Sequence, residues 1–283
     1  MDERLRKLEN QSVFMIREAY NQFKNIAVLW SVGKDSTTML ALIRKAFFGK
    51  IPFPVVHIDT GYKFKEMYEF RDRLAKEWGF DLMIATNPDT KAAPGVGNKL
   101  TCCTERKTEA LKKLIREHKF DAVLVGIRRD EHGIRNKEHF MSPRDKNFQW
   151  NVVRDKTPEE TTGDSPYENL QEVEFAGWGL FATTFKDADH VRVHPILHWN
   201  ELDIWEYVKD QNLPSVSLYF AKDGKRYRSI GCSPCTQPID SDADDIDKII
   251  AELKVTKTGE RDGRAQDKED QYAMEKLRQL GYM

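Results

Sequence analysis

Short β-branched runs alternate with long amphipathic stretches through the first half of the chain. Ile26 to Trp30 is apolar and precedes a helical pattern through Leu42; Val55 to Ile58 precedes another from Phe64 to Trp78. Leu82 to Ala85 and Ala122 to Val125 are two further apolar runs, and the helical pattern of Glu105 to His118 leads into the second of them. Brief apolar runs between helical repeats read as buried strands. Strand, helix, strand in this order predicts an α/β fold, a Rossmann-like parallel sheet with helices on both faces. Ligands of such sheets bind at the carboxyl ends of the strands.

Charge alternates with apolar residues at helical spacing from Met1 to Tyr20, predicting an amphipathic surface helix. This is not the layout of a signal peptide, and no apolar run is long enough to span a bilayer. From about Asp130 to His190 the periodicity gives way to polar sequence with scattered aromatics (Phe148, Trp150, Tyr167, Phe175, Trp178, Phe181), which predicts a loop-rich insertion or lid. Val191 to Ile196 reads as a strand, and a helix opens at Asn200, its predicted cap. The expected organisation is a nucleotide-binding domain over 1–235, including the insertion at about 130–190, and a charged tail over 236–283 with helices near Ile246 to Leu253 and Asp270 to Leu280.

A chain of 283 residues with 40% hydrophobic and 11% aromatic content can bury a full core. Its formal net charge of −1 provides no global field toward nucleic acid or an anionic membrane, so any DNA contact is local or indirect. Four cysteines are too few for a disulfide scaffold at this size and point to a reducing cytoplasm. A homodimer is compatible with these features.

Directly after the first apolar run comes Ser31-Val32-Gly33-Lys34-Asp35-Ser36-Thr37-Thr38, followed by an apolar helix. A helix N-terminus offers unbonded N–H groups and a positive dipole end to an anion. Gly33 allows close backbone approach, and Lys34 with the hydroxyls of Ser31, Ser36 and Thr37 adds charge and donors. This makes a pyrophosphate-sized cradle, without the spacing of a Walker A loop.

The segment resembles the PP-loop of the ATP pyrophosphatases, usually S-G-G-K-D-S, with Val32 in place of the first glycine. Further blocks resemble the sulfate adenylyltransferase small subunit: Leu5 to Asn25, Lys50 to Phe64, Gly126 to Glu131, Val193 to Ile196, Trp199 to Trp205, Gly259 to Asp267 and Leu280 to Met283. The same superfamily holds the adenylylsulfate and phosphoadenylylsulfate reductases, so the resemblance implies an adenine nucleotide α-hydrolase-like fold. It implies ATP bound by Ser31, Val32, Gly33, Lys34, Asp35, Ser36, Thr37, Asp59 and Gly61, and cleaved between its α- and β-phosphates. Lys34 and Asp35 are the expected catalytic residues of the loop, with magnesium (Mg2+) or loop ordering assigned to Asp35. Arg128 and Arg129, adjacent at a strand end, suit the acceptor or the α-phosphate, because guanidinium forks pair with phosphate or sulfate oxygens. The tail is expected to order on ligand or partner binding.

All four cysteines fall into pairs, Cys102-Cys103 and Cys232-Ser-Pro-Cys235. Such pairing is expected of a four-thiolate metal site. Zinc satisfies the count, but adjacent cysteines suit a cubane better, and the two blocks resemble those of the iron–sulfur adenylylsulfate reductases. A 4Fe-4S cluster on Cys102, Cys103, Cys232 and Cys235 is therefore expected. Those reductases also carry a catalytic cysteine near the C-terminus, and none follows Cys235 here.

The combination resembles the iron–sulfur ATP pyrophosphatases of DNA phosphorothioation, with a cysteine desulfurase and other DNA-modification proteins as partners. The alternative is a sulfate adenylyltransferase small subunit that makes adenylylsulfate with a GTPase partner. A third reading is an ATP-sensing redox scaffold without catalysis.

Overall fold

Strand β1 (Ile26–Leu29) pairs in parallel with β2 (Val55–Ile58) on one side and β4 (Ala122–Val125) on the other. β3 (Leu82–Ala85) joins β2, and β6 (His190–Val193) joins β4, both in parallel. β5 (Met141–Arg144) closes the far edge antiparallel to β6, so the order is β3-β2-β1-β4-β6-β5. The computed structural model describes residues 1–93, 99–131, 135, 138–149 and 188–261.

Side-chain alternation along these strands builds two cores. Ile26, Val28, Val55, Ala122, Leu124 and Val193 face one core; Ala27, Leu29, Val56, Val123 and Val125 face the other. Helix α2 (Lys34–Ala46) packs into the first core through Met39, Leu40, Leu42 and Ile43, as α3 (Lys65–Trp78) does through Met67, Phe70 and Leu74. The second core is covered by Leu111, Leu114 and Ile115 of α5 (Glu109–His118). α1 (Glu3–Gln22) lies against α2, with Glu9 receiving Lys45 at 2.6 Å. Helices on both faces are thus observed, in an α/β fold of the adenine nucleotide α-hydrolase-like type.

Three elements depart from expectation. The sheet is mixed, because β5 arises within the stretch that lacked periodicity. Its Pro143 donates no backbone hydrogen bond, which suits an edge strand and hides the strand from a reading of the pattern. The helix expected from Glu105 begins earlier, with α4 (Lys99–Cys103), and passes through a π-helical turn, Thr104–Thr108, before α5. A two-stranded ribbon, β7 (Lys225–Arg226) with β8 (Ile239–Asp240), was not anticipated.

Helix α6 (Glu201–Asp210) starts at Asn200 as expected, in a capping box with Asp203. α7 (Ile246–Val255) starts at Asp245, whose side chain accepts from Lys248 N. The expected helix Asp270 to Leu280 and the aromatics from Trp150 to Phe181 lie outside the described residues. No described helix is long and apolar enough to cross a membrane.

Candidate active site

The strand order reverses at β1, whose neighbours β2 and β4 carry the chain away in opposite directions. A crevice at the carboxyl ends of the strands is expected there, and the Ser31–Gly33 turn occupies it. Gly33 caps the 13-residue helix α2 without a side-chain bond of its own, so the first-turn N–H groups look elsewhere for partners. Ser31 and Ser36 join hydroxyls at 3.0 Å across the turn, and Ser36 Oγ donates to Gly33 O at 3.2 Å. Lys34 N donates to the Tyr219 hydroxyl at 2.9 Å. Thr37 faces inward, accepting from Trp30 Nε1 at 3.0 Å, so it anchors the helix to the strand end. Val32 is held at φ +66°, a conformation that normally calls for glycine.

Two buried cations flank the turn. Lys34 Nζ pairs with Asp35 at 3.3 Å, with Glu201 at 4.0 Å, and with Glu260. Arg128, fully buried at the end of β4, pairs with Asp130 at 2.9 Å and also with Asp35 and Glu260. Burial works against the Glu260 charge, but the attraction of Arg128 and Lys34 outweighs it and holds the carboxyl far below the ordinary carboxylate range. Burial likewise opposes the Arg128 charge, and Glu260 with Asp130 overcomes it, raising the guanidinium above its usual value. Glu201 is pushed upward by burial and by its neighbour Glu260, although Arg228 clasps it at 2.7 Å.

The cavity continues from Ser31, Lys34 and Ser36 past Gly126 to Glu131, Arg135 and Arg261, with an apolar wall that includes Val56, Ile58 and Leu111. Glu131 binds Arg261 at 2.9 Å and also pairs with Arg135. An apolar wall beside a cationic, N–H-rich end can receive a purine on one side and a polyphosphate on the other.

The two adjacent arginines separate. Arg128 reaches the loop, whereas Arg129 turns toward His198 at 3.3 Å and donates to Glu138 O at 3.0 Å. Asp59 lies at the end of β2, accepting from Gly61 N and from the Tyr68 hydroxyl, both at 2.8 Å; Gly61 has φ +74°. These two shape the turn after β2, and neither lines the cavity around Lys34. Tyr219, Glu201 and Glu260 were missed as site residues. For Glu260 the signal existed in the block Gly259 to Asp267, but nothing local tied it to Lys34.

The cysteines do not form the expected cluster. Burial first, then Cys103 and Cys232, push the Cys102 thiol up to about 11, so Cys102 does sense the other pair. Yet no three His, Cys, Asp or Glu side chains among the described residues are disposed to hold a metal ion. Cys232 Sγ instead meets Thr60 Oγ1 at 3.2 Å, and all four cysteines are unlinked thiols. The 4Fe-4S assignment to Cys102, Cys103, Cys232 and Cys235 is corrected accordingly. Asp35, given a magnesium or loop-ordering role from the sequence, has its carboxylate engaged by Arg128 and Lys34.

Fold and site together define a nucleotide-binding α/β domain. The phosphoadenosine phosphosulfate reductase domain family matches residues 25–238. Sulfate adenylyltransferase subunit 2 of Sulfurimonas denitrificans is 38% identical over 98% of this chain and 97% of its own length. Its counterpart from Allorhizobium ampelinum is 36% identical over 100% of this chain and 94% of its own. Candida glabrata FMN adenylyltransferase in complex with ATP shares the fold, with a TM-score of 0.55 at 18% identity, covering 83% of this chain and 63% of that one. The chain belongs to the sulfate adenylyltransferase subunit 2 family, within the phosphoadenosine phosphosulfate reductase domain group.

This membership overturns the assignment to a PP-loop iron–sulfur enzyme of DNA phosphorothioation, and with it the cysteine desulfurase and DNA-modification partners. The paired cysteines suggested that branch, but likeness over nearly the whole length outweighs two short blocks.

Proposed function

We propose that this chain is the ATP-handling subunit of a cytoplasmic sulfate adenylyltransferase, transferring AMP from ATP to sulfate with a GTPase subunit as partner. The observation that carries the reading is identity of 38% over 98% of the chain to a sulfate adenylyltransferase subunit 2. A sulfate oxygen attacks the α-phosphorus in line, the bond from that phosphorus to the bridging oxygen breaks, and pyrophosphate leaves with the electron pair. The products are adenylylsulfate and pyrophosphate.

Such a reaction depends on positioning and on neutralising charge that develops on the leaving group. The N–H groups of α2, Lys34 and the hydroxyls of Ser31 and Ser36 receive the leaving pyrophosphate in this reading. Arg128 supports the phosphate chain from the β4 side, and Asp35 orders the loop by joining Arg128 to Lys34. Arg129, bound toward His198 and Glu138, positions the strand end and not the acceptor.

The test is exchange of labelled pyrophosphate into ATP by the chain with its GTPase partner, with and without sulfate. Exchange that requires sulfate and falls about a hundredfold or more in Lys34→Ala is expected. Exchange indifferent to sulfate would remove sulfate as the acceptor.

A further inference from the structure

The segment after α7 returns to the active site as a strap with three side-chain attachments. Arg228 donates to Thr258 O at 2.8 Å, the Glu260 carboxylate pairs with Lys34 and Arg128, and Arg261 donates to Glu131 at 2.9 Å. The Glu260 side chain is 5% exposed. Its two oxygens divide between the two cations, Oε1 to Lys34 and Oε2 to Arg128. Two oxygens of a phosphate chain would use these cations in the same way.

Charge makes the two arrangements mutually exclusive. Lys34, Arg128 and Arg228 are countered by Asp35, Asp130, Glu201 and Glu260, four carboxylates against three cations. A triphosphate entering this cluster meets a cradle whose cations are already neutralised, and a buried carboxylate beside it would be strongly repelled. Of the four carboxylates, Asp35 and Glu201 sit on helices and Asp130 on the short turn after β4, whereas Glu260 is carried on the segment that returns from the end of α7. Glu201 remains near Lys34, clasped by Arg228 through contacts of 3.0 and 2.7 Å, so a counter-charge persists when Glu260 departs.

We propose that Glu260 is a positioning residue of the transfer reaction: its carboxylate holds Lys34 and Arg128 aligned and exchanges with the β- and γ-phosphates on each turnover. Nucleotide displaces the strap on entry, and the returning carboxylate competes pyrophosphate off after transfer. The inference rests on reading the Lys34 loop as the pyrophosphate cradle.

Glu260→Gln keeps the shape and removes the charge. Calorimetric titration of the full chain with inorganic pyrophosphate and with ATP is expected to show dissociation constants about tenfold lower than wild type, a gain of about 1.4 kcal/mol. Steady-state turnover should fall while KM for ATP also falls, because pyrophosphate leaves more slowly. Glu260→Asp, which retains the charge, should return both constants toward wild type. Equal or weaker pyrophosphate binding by a folded Glu260→Gln overturns the proposal. If that variant does not fold, amide exchange over 256–261 in wild type decides. Faster exchange with saturating pyrophosphate supports displacement, and unchanged or slower exchange overturns it. Wild type that binds no pyrophosphate counts against the cradle itself, whereas wild-type binding without a gain in the glutamine variant counts against Glu260 alone.

Discussion

Gly126, just beyond β4, stands so close to Ser36 that a β-carbon added to it would meet the Ser36 Cα at 3.0 Å and its N at 3.2 Å. The N-terminus of α2 is therefore seated directly on the end of the neighbouring strand. That contact sets how near the first turn of α2 comes to the carboxyl ends of the strands.

Gly126→Ala forces backbone to move, because no flexible side chain can yield at that contact. Destabilisation of about 1–3 kcal/mol is expected, and a shifted helix start should lower pyrophosphate exchange by about a hundredfold. Thermal unfolding and the exchange assay together check this. Unchanged values for both would mean that α2 is not seated by this contact.

Val32 carries a different stress. A β-branched residue at φ +66° is strained by about 1–3 kcal/mol, yet its side chain is buried at 1% exposure and contributes packing. Val32→Gly should relieve the first while losing the second. At Val28, an unstrained strand position of the same core, only the loss operates. Val32→Gly is accordingly expected to destabilise less than Val28→Gly, by about 1–3 kcal/mol. Denaturant midpoints of the two variants decide it, and equal losses would show that the loop stores no strain.

Acid should unfold this protein through its histidines. Burial, with Lys63 second, pushes His57 down to about 4. Burial and then Arg192 and Arg144 push His190 to about 3, and burial lowers His194 to about 4. In the unfolded chain each titrates near its ordinary value of about 6.5. The unfolded state thus binds more protons between those limits, so the stability is fully present above about pH 6.5 and is lost as pH falls toward about 4. Near pH 5 unfolding should take up about three protons, a slope of about 4 kcal/mol per pH unit. Urea midpoints measured at pH 7, 6 and 5 test this, and a flat profile would show that these rings are protonated in the folded state.

Much of the fold was legible because it is encoded locally. The four strands from Ile26 to Val125, the cap at Asn200 and the loop before α2 follow from periodicity and from residue types within a few positions of one another. β5 was not legible, since Pro143 breaks the pattern and pairing with β6 alone makes it a strand. The cysteine pairs misled for a related reason. Spacing along the chain says that two pairs exist, but not that four sulfurs point at one centre.

By itself, then, the sequence determined the α/β layering, the helix that starts directly after the first strand, and the place of Lys34 in its first turn. Tertiary structure alone decided that Arg128 turns to the loop while Arg129 turns to His198, and that Glu260, 226 residues from Lys34, fills the space between the two cations. Helical and strand patterns arise from neighbours in the chain, whereas the pairing of buried charges depends on which strand ends and loops the topology brings together.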